Sequence, residues 1–249
     1  MEWSDRGVIL RAGPFHEADM WLKILFRERG ILTAFAFGAA KSKVRFCGCL
    51  DVFNSIEGKA KTSRGDRYVN LQEASLLAAP RRLRSDWRSM GAAANCLRFL
   101  EAAGVDAGSA PQFFDLLEDL RAWLEAASAP PALAPHFFRL RVAGLMGYAP
   151  DFRRCARCGA EAETGAVFQV EEGVALCARC RPTGSISPRE ISLTAPVLRN
   201  LRAAQFSPPA KWSSEPMSPF ETRACSRLID NFVEYHIGLK WGDGFYRRV

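Results

Sequence analysis

The sequence predicts an α+β multidomain protein: an N-terminal β-barrel of the OB type over residues 1–79, then a helical domain over 80–249 that carries a four-cysteine, zinc-ribbon-like insert at 151–185. Three observations predict it. Short apolar runs of strand length fill the first part of the chain, apolar residues at helical spacing fill the rest, and two C-x-x-C pairs interrupt the helical part.

The strand-length runs are GVILRA, WLKILF, ILTAFAF, CLDVFNSIE and YVNLQEASLL, separated by turn or basic segments. In the second, Leu22, Ile24 and Phe26 alternate with Trp21, Lys23, Leu25 and Arg27, so one face is apolar and the other mixed. Arg29-Gly30 supplies a hairpin turn into Ile31. Five short strands in so few residues suit a small Greek-key barrel, which closes its edges and offers one strand face plus loops to a ligand. An SH3-like barrel is the alternative.

From Pro80 the period changes. RRLRSDWRSMGAAANCLRFLEAA, APQFFDLLEDLRAWLEAA and PPALAPHFFRLRVAGLMGYAP place apolar residues at helical spacing, the last ending near Gly147 with Pro150 just beyond. After the cysteines, ISPREISLTAPVLRNLRAAQF and SPFETRACSRLIDNFVEYHIGLK are again helical in pattern, with Ser187-Pro188 and Ser218-Pro219 as start signals.

With 249 residues and 48% hydrophobic content the chain can bury a core in each of two domains. Its longest uncharged apolar stretches run to about ten residues, half of the roughly 20 a bilayer crossing needs. Acids near the N-terminus and the lack of an apolar signal core there point to a cytoplasmic protein with no membrane partner. Thirty-four Lys and Arg against 27 Asp and Glu leave a charge of +7, which favours a polyanionic partner without naming one.

Cys155-Ala-Arg-Cys158 and Cys177-Ala-Arg-Cys180 are separated by 18 residues, a spacing suited to one four-cysteine zinc site. Each pair presents two sulfurs from a tight turn, and two turns complete a tetrahedron at about 2.3 Å Zn–S. AVFQVEEGVALC can form the hairpin between them, about Glu171-Glu172-Gly173. Four thiolates close the coordination sphere, so one structural Zn2+ is expected and metal-assisted hydrolysis is not. A thioredoxin-type redox pair and structural disulfides are the weaker readings. Cys47 and Cys49 alternate on a presumed strand, and Cys96 and Cys225 lie on apolar helical stripes as small hydrophobes.

No catalytic constellation stands out. His16, His136 and His236 sit in no recognised catalytic spacing, and neither a G-x-x-x-x-G-K-S/T loop nor a G-x-G-x-x-G run occurs. A non-enzymatic protein is expected, with His236 packed near a helix end.

Basic side chains cluster instead. Lys41, Lys43 and Arg45 lie in AAKSKVRF and, if extended, point to one side; Lys59, Lys61, Arg64 and Arg67 form a second group in GKAKTSRGDR. Arg27 and Arg29 flank the RERG turn, while Arg81, Arg82 and Arg84 mark the domain junction. Loops of a small barrel cluster at its ends, where such groups can track a phosphate backbone. Trp21, Phe35, Phe37, Phe46, Phe53 and Tyr68 are the candidates to stack on bases, although a barrel this small takes most of its aromatics inside.

In this order the parts resemble the RecO family over essentially the whole chain: HEAD followed by a strand and the RERG turn, GAAKSKVRF in the basic loop, MGYAPDFRRCARCG and a terminal EYHIGLK. The resemblance implies a repair and recombination mediator that binds single- and double-stranded DNA and anneals complementary strands. It implies contact with the C-terminal tail of single-strand-binding protein, work with RecR and in some bacteria RecF, and help in loading RecA. Lys41, Lys43 and Arg45 match the family's basic loop, and Cys155, Cys158, Cys177 and Cys180 its zinc site. Arg139 and Arg141, beside Phe137 and Phe138, are candidates for the tail pocket. A zinc-ribbon RNA-binding or transcription/translation factor is the alternative function.

Overall fold

The computed structural model describes residues 1–63, 68–127, 132–181, 190–212 and 215–249. Arg64, Arg67 and the Ser187-Pro188 start signal lie outside them. The chain divides into two compact units: Met1–Met90 with Ala103–Ala126, and Gly91–Ala102 with Ala127–Val249.

In the first unit, β1 (Glu2–Phe15), β2 (Asp19–Phe26), β3 (Gly30–Ala36), β4 (Ser55–Thr62) and β5 (Val69–Ala78) close a barrel in the order β1-β2-β3-β5-β4. All pairings are antiparallel except β3 with β5, and β1 closes the ring on β4. This Greek-key closure is the OB arrangement. Alternation fills it: Ile9, Leu22, Ile24, Phe26, Ile56 and Leu71 are fully buried, with small Ala34, Ala36 and Ala60 between them. Helix α2 (Ala110–Ala126) belongs to this unit. Its Asp115 receives Arg27, its Glu118 accepts from Ser55 Oγ, and its Glu125 accepts the backbone amides of Arg82 (2.7 Å) and Leu83 (2.9 Å).

The strand expected over CLDVFNSIE begins only at Ser55. Residues 49–54 turn instead: Cys49 N–H donates to Phe46 O, Asn54 Nδ2 to Cys49 O, and Phe53 sits at φ 67°. Leu50 and Phe53 are buried from a turn, so their hydrophobicity imitates a strand. The strand runs on through GKAKT, where Gly58 and Ala60 face inward and Lys59 and Lys61 face outward. Cys47 and Cys49 share no strand face; Cys47 is exposed at φ 40° and Cys49 is buried.

Helix α1 (Trp87–Ala103) starts later than expected, because Asp86 accepts Ser89 N–H and Oγ as its cap. Arg81, Arg82 and Arg84 therefore precede the helix.

In the second unit α3 (Ala134–Leu145), α4 (Ala195–Phe206) and α5 (Pro219–Ile237) pack with a small sheet, β7-β6-β8, formed by β6 (Gly165–Gln169), β7 (Val174–Leu176) and β8 (Glu190–Thr194). EISLT is thus a strand and not the start of a helix: Ile191 and Leu193 are buried, with Ser192 and Thr194 exposed between and after them. α5 starts where the sequence says, with Ser218 and Glu221 forming a capping box. A terminal hairpin of β9 (Leu239–Gly242) and β10 (Phe245–Arg248) was not foreseen; Asp243-Gly244, both at positive φ, is its turn signal.

Candidate metal centre and nucleic-acid interface

The four cysteines meet. Their sulfurs lie within 4.8 Å of one another, and Cys158 Sγ and Cys177 Sγ are 3.8 Å apart. The edge of a tetrahedron with 2.3 Å metal–sulfur bonds is about 3.8 Å. Each pair is a knuckle. Gly159, at φ 70°, returns its N–H to Cys155 O (2.9 Å), while Cys180 and Arg181 both donate to Cys177 O (3.0 Å). Ala156 N–H to Ala175 O (2.9 Å) ties the first knuckle to β7, which leads into the second. Neither pair opens an α-helix, as a redox C-x-x-C would.

The electrostatics fit a cation. Burial opposes ionisation of Cys155, but the amides of Cys177, Cys158 and Arg157 outweigh it and bring the thiol down to about 6. Cys180, crowded first by the Cys158 sulfur, is pushed up to about 12. Four sulfurs at this range cannot all be thiolates without a positive ion among them, and a divalent metal supplies that charge. Thus Cys155, Cys158, Cys177 and Cys180 are a donor set able to hold a metal ion.

The surroundings brace the knuckles. Arg202 on α4 donates to Phe152 O (2.9 Å) and Ala162 O (2.9 Å), and Gln205 Nε2 to Pro150 O (2.6 Å). Sequence reasoning missed both, since a helix-borne arginine carries no motif. His236 packs on Phe232 with its Nε2 2.8 Å from Val170 O, steadying the β6–β7 turn.

In the barrel unit the basic candidates divide by environment. Lys41 ends a 3-10 turn (Ala39–Lys41), and Lys43 and Arg45 follow in bends, so the three are not an extended row. All three are exposed; Arg45 donates to Phe37 O (2.7 Å), which folds the loop back on the end of β3. Lys59 and Lys61 project from the outer face of β4. Arg81 is exposed. Arg27 is held by Glu28 (2.8 Å) and Asp115 (3.3 Å), Arg29 lies over the Trp3 ring, and Arg84 donates to Val52 O and Asn54 Oδ1 beside Asp51. The Arg82 guanidinium reaches Ala126 O at 3.4 Å. Of the six aromatic candidates, Phe46 and Phe53 are core, while Phe37 and Tyr68 are exposed. Among the described residues no helix is long and apolar enough to cross a membrane.

Comparison with known proteins covers both units. Residues 1–80 match the family profile described as recombination protein O N terminal, and residues 84–242 match that of recombination protein O C terminal. A DNA repair protein RecO of Nitratidesulfovibrio vulgaris is 44% identical over 255 residues, with all of both chains covered. One of Lawsonia intracellularis is 37% identical over 252 residues with the same coverage, and one of an Anaeromyxobacter is 34% identical over 237 residues, 94% of this chain and 91% of its own. With a closed OB-type barrel, a four-cysteine cluster and likeness over its whole length, the chain belongs to the RecO family of DNA repair and recombination proteins.

Proposed function

We propose that this protein is a non-catalytic mediator that binds single- and double-stranded DNA, anneals complementary strands and, with RecR, helps load RecA onto DNA coated by single-strand-binding protein. Full-length likeness to proteins named for DNA repair carries the reading. The net charge of +7 and the exposed Lys41, Lys43, Arg45, Lys59, Lys61 and Arg81 support it, because cations on a small barrel can follow a phosphate backbone at any sequence. Arg27, Arg29 and Arg84 serve the barrel's own structure first. Arg64 and Arg67 stay in the proposal on sequence grounds alone.

Zn2+ is the metal proposed for the four cysteines, since an all-thiolate tetrahedral set suits it and closes every position. It would act by joining the knuckles, a structural task.

For the tail of single-strand-binding protein we propose a groove between α3 and the end of α4, lined by Leu140, Arg141, Gly144, Leu145, Ala149 and Phe206. Phe206 is 57% exposed, and burial alone lowers the pKa of Arg141. An acidic, hydrophobic tail would cover the one and neutralise the other. Arg139 is unsuited: it is buried against Asp230 at 2.8 Å. RecF is a further proposed partner on family grounds, as are a cytoplasmic, nucleoid-associated location and the absence of a membrane partner.

The test is annealing of complementary oligonucleotides coated with single-strand-binding protein. Faster annealing with this protein than without is expected. No acceleration, or tighter binding to single-stranded RNA than to DNA at matched salt, would overturn the reading in favour of an RNA-binding factor.

A further inference from the structure

The outer face of the barrel carries a row that crosses all five strands. Lys61 on β4 is opposite Asn70 on β5, Asn70 is opposite Phe35 on β3, Phe35 is opposite Trp21 on β2, and Trp21 is opposite Gly13 on β1. Neighbours in such a row are about 5 Å apart. Phe35 is the hub of an aromatic group: its ring lies 4.8 Å from Phe15, 5.3 Å from Tyr68 and 6.4 Å from Phe37. Phe15, Phe37 and Tyr68 are 37%, 41% and 42% exposed. A cluster with three of its four rings exposed is costly to leave open to water, and such patches mark binding surfaces.

The geometry suits a particular ligand. Phe35 lies on β3 and Phe37 in the turn that follows it, and their rings are 19° from parallel. Their 6.4 Å centroid separation is a little under twice the ~3.4 Å thickness of a stacked base, so a small outward swing of the exposed Phe37 ring admits one base between them. Cations adjoin the rings. Arg11 lies over Trp21 at 5.2 Å and is opposite Lys23 in the neighbouring row, and Lys41, Lys43 and Arg45 follow Phe37 in the chain. Glu2, opposite Lys61, is the acid at the far end. An apolar slot bordered by positive charge calls for a polyanion with flat unpaired rings.

We propose that Phe35 and Phe37, with Phe15 and Tyr68 at their edges, form a stacking slot for unpaired bases, so that this face takes single-stranded DNA in preference to duplex. The inference rests on the DNA-binding reading above and adds to it a division of labour. Lysines and arginines hold phosphates of either form, whereas the slot engages only bases that are free of a partner strand.

The experiment uses the full chain and three labelled probes at one salt concentration: an oligothymidylate, the same phosphate backbone with abasic sites, and a duplex. Wild type should bind oligothymidylate about 10-fold or more tighter than the abasic strand, as stacking of one base allows. Phe37→Leu and Phe35→Leu keep an apolar side chain but remove the ring, and should bring the two strands to within about twofold while duplex affinity stays put. Phe220→Leu, at an aromatic 70% exposed in the other unit, controls for loss of any surface ring. The inference is overturned if folded Phe35 and Phe37 variants still prefer bases to abasic sites, or lose duplex binding in equal measure. A wild type that binds none of the probes would instead remove the DNA-binding reading itself.

Discussion

Arg202 brackets the carbonyl oxygen of Phe152 with two hydrogen bonds, from Nε at 3.1 Å and from Nη2 at 2.9 Å. The same guanidinium reaches Ala162 O, so one side chain of α4 grips the backbone on both sides of the first knuckle. Arg202→Ala should therefore cost about 1.5–3 kcal/mol, the usual loss when charge-assisted bonds to buried acceptors go. Competition with a chelator, compared with wild type, should strip metal from the variant faster. Arg202→Lys, which cannot make the forked contact, should resemble the alanine variant more than wild type.

Cysteine replacement tests the metal site itself. Cys155→Ala or Cys177→Ser leaves three thiolates, so one zinc per chain should be lost and the second unit should melt at lower temperature. Elemental analysis of the purified variants decides it. Stoichiometric zinc in either would remove the four-ligand assignment.

The metal site was legible in the sequence because spacing alone dictates it, and the barrel because inward positions such as Leu22, Ile24 and Phe26 keep period two. The fourth strand was misplaced by the same logic. Its inward residues Gly58 and Ala60 are too small to register as apolar, while Leu50 and Phe53 bury themselves from a turn. β8 went unseen because five residues that run directly into a helix carry too little pattern. Which basic residues are occupied was not legible either: Arg27 meets Asp115 across 88 positions of sequence.

For the basic loop, Lys41→Ala with Lys43→Ala should weaken DNA binding at every sequence alike. The slope of log affinity against log salt should flatten by about 1.4 for single strands if both lysines touch phosphate. Adding Arg45→Ala has a second effect, because its bond to Phe37 O is lost and the turn loosens. Filter binding or anisotropy across a salt series measures the slopes; an unchanged slope in folded double variant takes these lysines off the binding surface.

Asp230 gives a pH signature. Burial raises its pKa, but His136 and Arg139 more than compensate and hold the carboxyl below the ordinary value of 3.8. A depressed folded-state pKa means stability that is present above the unfolded value and lost as pH falls through the folded one. Asp230→Asn should cost about 1–3 kcal/mol at pH 7, less than for a fully enclosed pair because half of Asp230 reaches solvent. Thermal melts should show the gap between variant and wild type closing below pH 4. A gap of constant size down to pH 2 would mean the pair contributes nothing through charge.

Gly30 supplies the sharpest test of the RERG turn. It sits at φ +75°, and a Cβ there would collide with the backbone oxygen of Val105 and with Asp106. The approach is close because the next residue, Ile31, donates its N–H to that same Val105 oxygen at 2.9 Å. Gly48 offers the matching control: its φ is +68°, but nothing lies within 4 Å of the Cβ position. Gly48→Ala should therefore show only the left-handed penalty of about 1–2 kcal/mol. Gly30→Ala should show that penalty plus displacement of the Val105 backbone, because backbone cannot rotate aside as a side chain can. Denaturant melts of the two variants measure the difference directly, and equal losses would mean that backbone conformation alone, and not the packing of Val105 against the turn, requires glycine at position 30.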